Sequence, residues 1–177
     1  MPNIEIKARY NNLENARSIA YKLQTDYLGV LHQIDTYFVT KSGRLKLREI
    51  DGEIAQLIPY SKKYRSGPMK SDYALLTVEN PIQVKDLFNT LLGIEFVVDK
   101  KREVFLIGNV RVHLDEVVGL GSFVEFEAVY EDSSPEERSN QVQRVHDLMK
   151  IFEIKNEDLL DLSYVDYLAP ESRRTSL

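Results

Sequence analysis

Val110-Arg111-Val112-His113-Leu114-Asp115-Glu116 and, just beyond Gly119-Leu120-Gly121, Ser122-Phe123-Val124-Glu125-Phe126-Glu127 are the two runs on which the fold turns. In both, apolar residues alternate with charged or polar ones. That is the two-residue period of a strand, and the glycines between them supply a tight reversal. Arg111, His113 and Asp115 therefore share one face, and Glu125 and Glu127 share another. The intervening Val110, Val112, Leu114, Val124 and Phe126 form apolar faces.

The same alternation recurs elsewhere. Glu5, Lys7 and Arg9 interleave with Ile4 and Ile6; Arg44, Lys46 and Arg48 with Leu45 and Leu47; Lys100 and Arg102 form a further set. Two architectures give this pattern. A sheet can keep one wet, charged face and pack the other on a core. Alternatively, the charged faces line the inside of a barrel and helices cover the apolar outside. Charge sign separates the two. Like charges side by side repel, yet Arg44, Lys46 and Arg48 are all basic, and Glu125 and Glu127 both acidic. An anion bridging the first set and a cation bridging the second would relieve both. Together they describe a metal-bound polyphosphate, with Arg and Lys on phosphate oxygens and carboxylates on Mg2+ or Mn2+.

Outward from these strands, periodicity and turn signals predict about eight strands and four helices. Strands are expected at 3–9, 32–40, 44–49, 54–60, 73–78, 96–107, 110–116 and 122–130. Helices are expected from about Leu13 to Thr25, from Pro81 to Gly93, from Pro135 to about Ile151 and over about Asn156–Leu168. Residues 61–72, rich in Lys, Arg, Ser, Gly and Pro, are expected to be a mobile loop. Residues 1–169 are expected to form a single domain, with 170–177 a disordered tail.

Composition narrows the classes. The chain has 177 residues, 43% hydrophobic and 29% charged, which suits a globular protein with a sizeable core. It has no cysteine, so disulfides, thiolate metal sites and a cysteine nucleophile are excluded. A cytoplasmic location fits that composition. No apolar run approaches the ~18–20 residues of a membrane-spanning helix, so no membrane partner is expected. The net charge of −5 argues against binding a nucleic-acid duplex by charge alone. Exposed strand edges or the C-terminal helix could join two copies as a homodimer.

Asn3-Ile4-Glu5-Ile6-Lys7 resembles the N-terminal Glu-x-Glu-x-Lys strand of the CYTH proteins, also called triphosphate tunnel metalloenzymes. Further segments resemble the branch that includes class IV adenylate cyclases. They are Gln33-Ile34-Asp35-Thr36-Tyr37-Phe38, Gly43 to Glu49, Lys70-Ser71-Asp72-Tyr73, Lys100-Lys101-Arg102-Glu103 and the block from His113 to Glu127. The resemblance covers residues 3–130 in order. It implies an α+β fold built on an eight-stranded antiparallel β-barrel with flanking helices, a triphosphate substrate and dependence on Mg2+ or Mn2+.

By position in these motifs, Glu5, Glu125 and Glu127 are expected to hold the metal, with Asp115 as a further ligand or supporting group. Lys7, Arg9, Arg44, Lys46, Arg48, Lys100, Arg102 and Arg111 are expected to grip phosphates, joined by Lys62, Arg65 and Lys70 from the loop region. Lys7, Lys46, Arg48, Lys100, Arg102 and Asp115 are the expected catalytic set. His113 is expected to be structural. One position departs from the pattern: Asn3 stands where the family has its first Glu, and so contributes no charge to a metal site. The resemblance implies first a cyclase forming 3',5'-cyclic AMP and pyrophosphate from ATP. A triphosphatase acting on thiamine triphosphate, inorganic triphosphate or a nucleoside triphosphate is the alternative. A non-catalytic polyphosphate or nucleotide sensor is the third.

Overall fold

A computed structural model describes residues 3–23, 26–60, 74–131 and 134–168. The predicted alternation becomes one eight-stranded antiparallel sheet. Its strands are β1 (Asn3–Arg9), β2 (Asp26–Phe38), β3 (Arg44–Ile50), β4 (Ala55–Tyr60), β5 (Leu76–Val78), β6 (Ile94–Ile107), β7 (Val110–Val117) and β8 (Gly121–Val129). They lie in the order β1-β8-β7-β6-β2-β3-β4-β5. The sheet curls so that one face lines a cavity. Among the described residues its outer strands β1 and β5 do not pair, so it is not strictly closed by hydrogen bonds.

Helices cover the convex face. α1 (Leu13–Lys22) starts where the Asn12 side chain accepts from the Asn15 N–H, and α3 (Pro135–Ile151) starts where Ser134 accepts from the Glu137 N–H. Each cap satisfies a backbone donor that the first turn leaves open. Ala16 and Ala20 of α1, and Val145, Leu148 and Met149 of α3, bury against Ile4, Val112, Leu114, Val124 and Phe126. The Phe126 and Phe152 rings meet nearly edge to face at 5.0 Å. α2 (Pro81–Leu92) packs Val84 and Phe88 over Phe38 and Leu47. No described helix is long and apolar enough to cross a membrane.

Two elements differ from expectation. β2 begins at Asp26 rather than near His32 and pairs with β6 as far as Leu106. Gly29, at φ 116°, sits at a register shift between the Tyr27 and Gly29 pairs, and that irregularity breaks the alternation that the sequence would display. The helix expected over 156–168 is instead a single 3₁₀ turn, Asn156–Asp158, an extended stretch and a short helix α4 (Tyr164–Leu168). The reason lies on the edge of β1. Leu159 bridges Ala8, and the Leu160 N–H donates to the Lys7 carbonyl at 2.8 Å, satisfying backbone that would otherwise stay unpaired. α4 then turns onto the concave side, where Tyr164 and Val165 pack with Tyr37, Val98, Val117 and Phe123. Tyr73 and the expected tail, 170–177, lie outside the described residues.

Candidate functional site

Antiparallel register brings the charged positions together. Arg48 lies opposite Asp35 and Lys46 opposite Tyr37 across β3 and β2; Lys100 lies opposite Gln33 across β6 and β2. Arg102 pairs with Asp115, His113 with Glu125, Arg111 with Glu127, Lys7 with Glu125 and Glu5 with Glu127. All these side chains are on the concave face. That face encloses a cavity of ≈ 430 Å3 whose lining includes Glu5, Lys7, Lys46, Arg48, Lys100, Arg102, Arg111, Glu125 and Glu127.

The cavity has two electrostatic halves. On the β2–β3 side, Asp35 accepts from Lys46 Nζ at 2.9 Å and from Arg48 Nε at 2.9 Å. On the β6–β7–β8–β1 side, Arg102 donates to Asp115 through Nε at 2.7 Å and Nη2 at 2.6 Å, and to Glu125 at 2.5 Å. Lys7 Nζ donates to the other Glu125 oxygen at 3.1 Å. At the mouth, Glu127 accepts from Asn3 Nδ2 at 3.0 Å and from Arg111 Nη1 at 3.2 Å. The expectation that stacked like charges need outside ions is thus overturned for several of them. Acids on neighbouring strands compensate the bases, and bases compensate the acids, because the register interleaves sets that each carry one sign.

Burial sets the ionisation. Desolvation lowers Lys46 to about 8 against the pull of Asp35, and it lowers Lys100 to about 7 with help from the Arg102 charge. Burial would raise Glu125 and Asp115. For Glu125, Lys7 and Arg102 outweigh it; for Asp115, Arg102 and Lys100 do, so both carboxyls lie below their usual range. Glu5 goes the other way. Burial raises it first, and the nearby Glu125 charge adds to that.

The remaining sequence-predicted residues fall outside this inner set. Asp115 is fully buried, and its oxygens are taken by Arg102 and the Tyr164 hydroxyl, which donates to it at 2.9 Å, so it backs Arg102 from behind. Arg44 is tied to α4, donating to Asp166 and to Ser163 Oγ. Arg9 is exposed, near the rings of Phe123 and Tyr167. His113 is buried with Nδ1 3.3 Å from Glu125, as a structural member of the network. Lys62, Arg65 and Lys70 lie outside the described residues.

Three residues of the site escape a reading of the sequence. Asp35 carries a signal, since it alternates with Gln33 and Tyr37 on a strand face. Tyr164 and Asp166 carry none, because a helix is expected there. The Tyr164 ring lies 4.5 Å from Lys7 Nζ and 5.3 Å from Lys100 Nζ, forming a wall at that end of the cavity.

The donor set fits a divalent cation. Glu5, Glu125 and Glu127 offer hard oxygens on one cavity wall, and the Glu125 charge adds to the desolvation that raises Glu5. Among the described residues no three acidic or imidazole groups already converge as a metal cage. Mg2+ needs none, since it keeps several waters and takes one or two carboxylates plus substrate phosphates.

Comparison with known proteins bears on the fold. The chain's fold matches PH1012 of Pyrococcus horikoshii OT3 with a TM-score of 0.80 at 24% identity, over 94% of this chain and 98% of that one. It matches a candidate adenylate cyclase of Vibrio parahaemolyticus with a TM-score of 0.78 at 19% identity, over 96% and 99%. HpAC1 of Hippeastrum, a candidate adenylyl cyclase with a dominant triphosphatase activity, matches with a TM-score of 0.62 at 15% identity, over 87% and 89%. No curated protein matches. The family model for the CYTH domain matches residues 1–164, and with that match over nearly its whole length the chain belongs to the CYTH domain family.

Proposed function

We propose that this protein is a divalent-metal-dependent enzyme acting on a triphosphate held in the tunnel, and that its reaction is the cyclisation of ATP to 3',5'-cyclic AMP and pyrophosphate. One observation carries the reading. A single concave face collects Lys7, Lys46, Arg48, Lys100 and Arg102 beside Glu5, Glu125 and Glu127 around one cavity. The cations would neutralise phosphate oxygens and hold the leaving pyrophosphate. Glu5, Glu125 and Glu127 would hold Mg2+ or Mn2+, which supplies Lewis-acid stabilisation of charge on the phosphates. Asp115 and Tyr164 would keep Arg102 oriented. No nucleophilic side chain is required. A single domain, residues 1–169, in the cytoplasm goes with this reading.

Hydrolysis is the second reading. It is favoured by the dominant triphosphatase activity of the Hippeastrum relative, whereas Asn3, an amide where a carboxylate would strengthen a metal site, favours the third reading, a non-catalytic sensor. Incubation with ATP, thiamine triphosphate and inorganic triphosphate, each with Mg2+ or Mn2+, separates the two by product. Cyclic AMP with pyrophosphate supports cyclisation, and orthophosphate supports hydrolysis. Binding without turnover of any of them refutes both.

A further inference from the structure

At the centre of the basic wall sits an acid that phosphate binding does not require. Asp35 is 2% exposed. Its Oδ1 accepts from Arg48 Nε at 2.9 Å, and its Oδ2 accepts from Lys46 Nζ at 2.9 Å, Gln33 Nε2 at 3.1 Å and Arg48 Nη2 at 3.2 Å. A carboxylate in an anion site repels the anion, so its presence there needs a compensating role. The geometry offers two. The two bonds to Arg48 run side by side and fix the plane of the guanidinium. The bond to Lys46 puts a full negative charge beside an ammonium that burial otherwise disfavours. Each cation keeps further donors that Asp35 does not use, and both line the cavity.

We infer that Asp35 is a positioning residue of the tunnel, holding Lys46 and Arg48 as charged and oriented donors for a triphosphate; the inference rests on the functional reading above. Burial brings Lys46 to about 8 even with Asp35 beside it, and Asp35 is the largest influence opposing that fall. Removing the Asp35 charge lets Lys46 shed its proton near neutral pH. Among the described residues, the other charged or titratable groups facing this corner are Tyr37 on β2, Arg44 and Arg48 on β3, Tyr60 on β4, Lys100 and Arg102 on β6, and Glu5 and Lys7 on β1. All of them remain in a variant changed only at Asp35, so the variant isolates its contribution.

The test uses the full chain with Asp35→Asn and Asp35→Glu. The first readout needs no ligand. Side-chain NMR follows the titration of Lys46 and the solvent exchange of the Arg48 Nε–H. Asp35→Asn is expected to move the Lys46 midpoint down by about one pH unit or more and to speed Arg48 Nε–H exchange about tenfold. Asp35→Glu is expected to keep the midpoint within about half a unit, because the charge remains. The second readout is calorimetric binding of tripolyphosphate with Mg2+ from pH 6 to 9. Asp35→Asn should bind within about threefold of the wild type at pH 6 and about tenfold more weakly at pH 8, with extra proton uptake. An unchanged Lys46 midpoint with unchanged Arg48 exchange overturns the inference. So does tighter binding by Asp35→Asn at every pH, which would make Asp35 only a repulsive charge. If the wild type binds no tripolyphosphate, the functional reading fails while the NMR still decides whether Asp35 holds the two cations. If Asp35→Asn does not fold, Asp35→Asn with Lys46→Met removes the buried pair together. Arg48 Nε–H exchange must then accelerate, and slow exchange refutes the role.

Discussion

The convex and concave faces of this one sheet are built from the same strands, residue by residue in alternation, yet they meet opposite demands. On the convex face, Val112, Leu114, Val124 and Phe126 are buried by α1 and α3, and stability comes from apolar area and close packing. On the concave face, Lys100, Arg102, Asp115 and Glu125 are also buried, and each is an ionisable group. Taking an ion out of water costs several kcal/mol, and a good partner only offsets this. The concave face is therefore kept at the expense of stability, which marks it as the face that works. Burial alone says little about the purpose of a residue in this protein; the chemistry buried says more.

The two faces can be told apart most strongly by a change on the convex side. Phe126→Ala empties a packed site against Phe152 and should cost ~3–5 kcal/mol in urea unfolding, with triphosphate binding unchanged in the fraction that stays folded. Loss of binding in that folded fraction would show that the two faces are not separable. On the concave side the expected loss is in function. Glu125→Gln with Glu127→Gln should lower metal-dependent turnover at least about a hundredfold, or ~2.7 kcal/mol of transition-state stabilisation. Unchanged metal-dependent turnover, measured by product release, would remove these carboxylates from the site.

A smaller effect is expected with pH. Lys100 and Lys46 lie at about 7 and about 8, below the ordinary lysine value, so both are charged below pH 7 and lose charge as pH rises. Affinity for a triphosphate should be highest below pH 7 and fall by about tenfold between pH 7 and 9, with proton uptake on binding. A flat calorimetric profile over that range would contradict the burial of these cations. The smallest effect is Tyr164→Phe. The ring remains over Lys7 and Lys100, while Asp115 loses one of its hydrogen bonds and keeps Arg102. Stability should fall by about 1 kcal/mol, and triphosphate affinity should change less than about threefold. A tenfold loss of affinity would give the hydroxyl a direct part in binding.

Much of the site is legible in the sequence. Glu5, Lys7, Lys46, Arg48, Lys100, Arg102, Glu125 and Glu127 stand at alternate strand positions, and a two-residue period needs no tertiary information to place them on shared faces. Asp35 shows the limit. It occupies the same face as Gln33 and Tyr37, yet as an acid between uncharged neighbours it carries no sign of the cations that register brings to it. The α4 residues are illegible for another reason. The helical signal over 156–168 loses to the unpaired edge of β1, and an edge exists only once the sheet has formed.

Alternation is a local property, so the amino-acid order alone suffices for most of the strands and for the sidedness of their charge. Which charges meet is a tertiary matter. The folded sheet sets Asp35 beneath Lys46 and Arg48, puts Glu125 between Lys7 and Arg102, and turns Tyr164 against Asp115. These contacts join residues far apart in the chain, and strand register, sheet curvature and the satisfaction of backbone hydrogen bonds fix them.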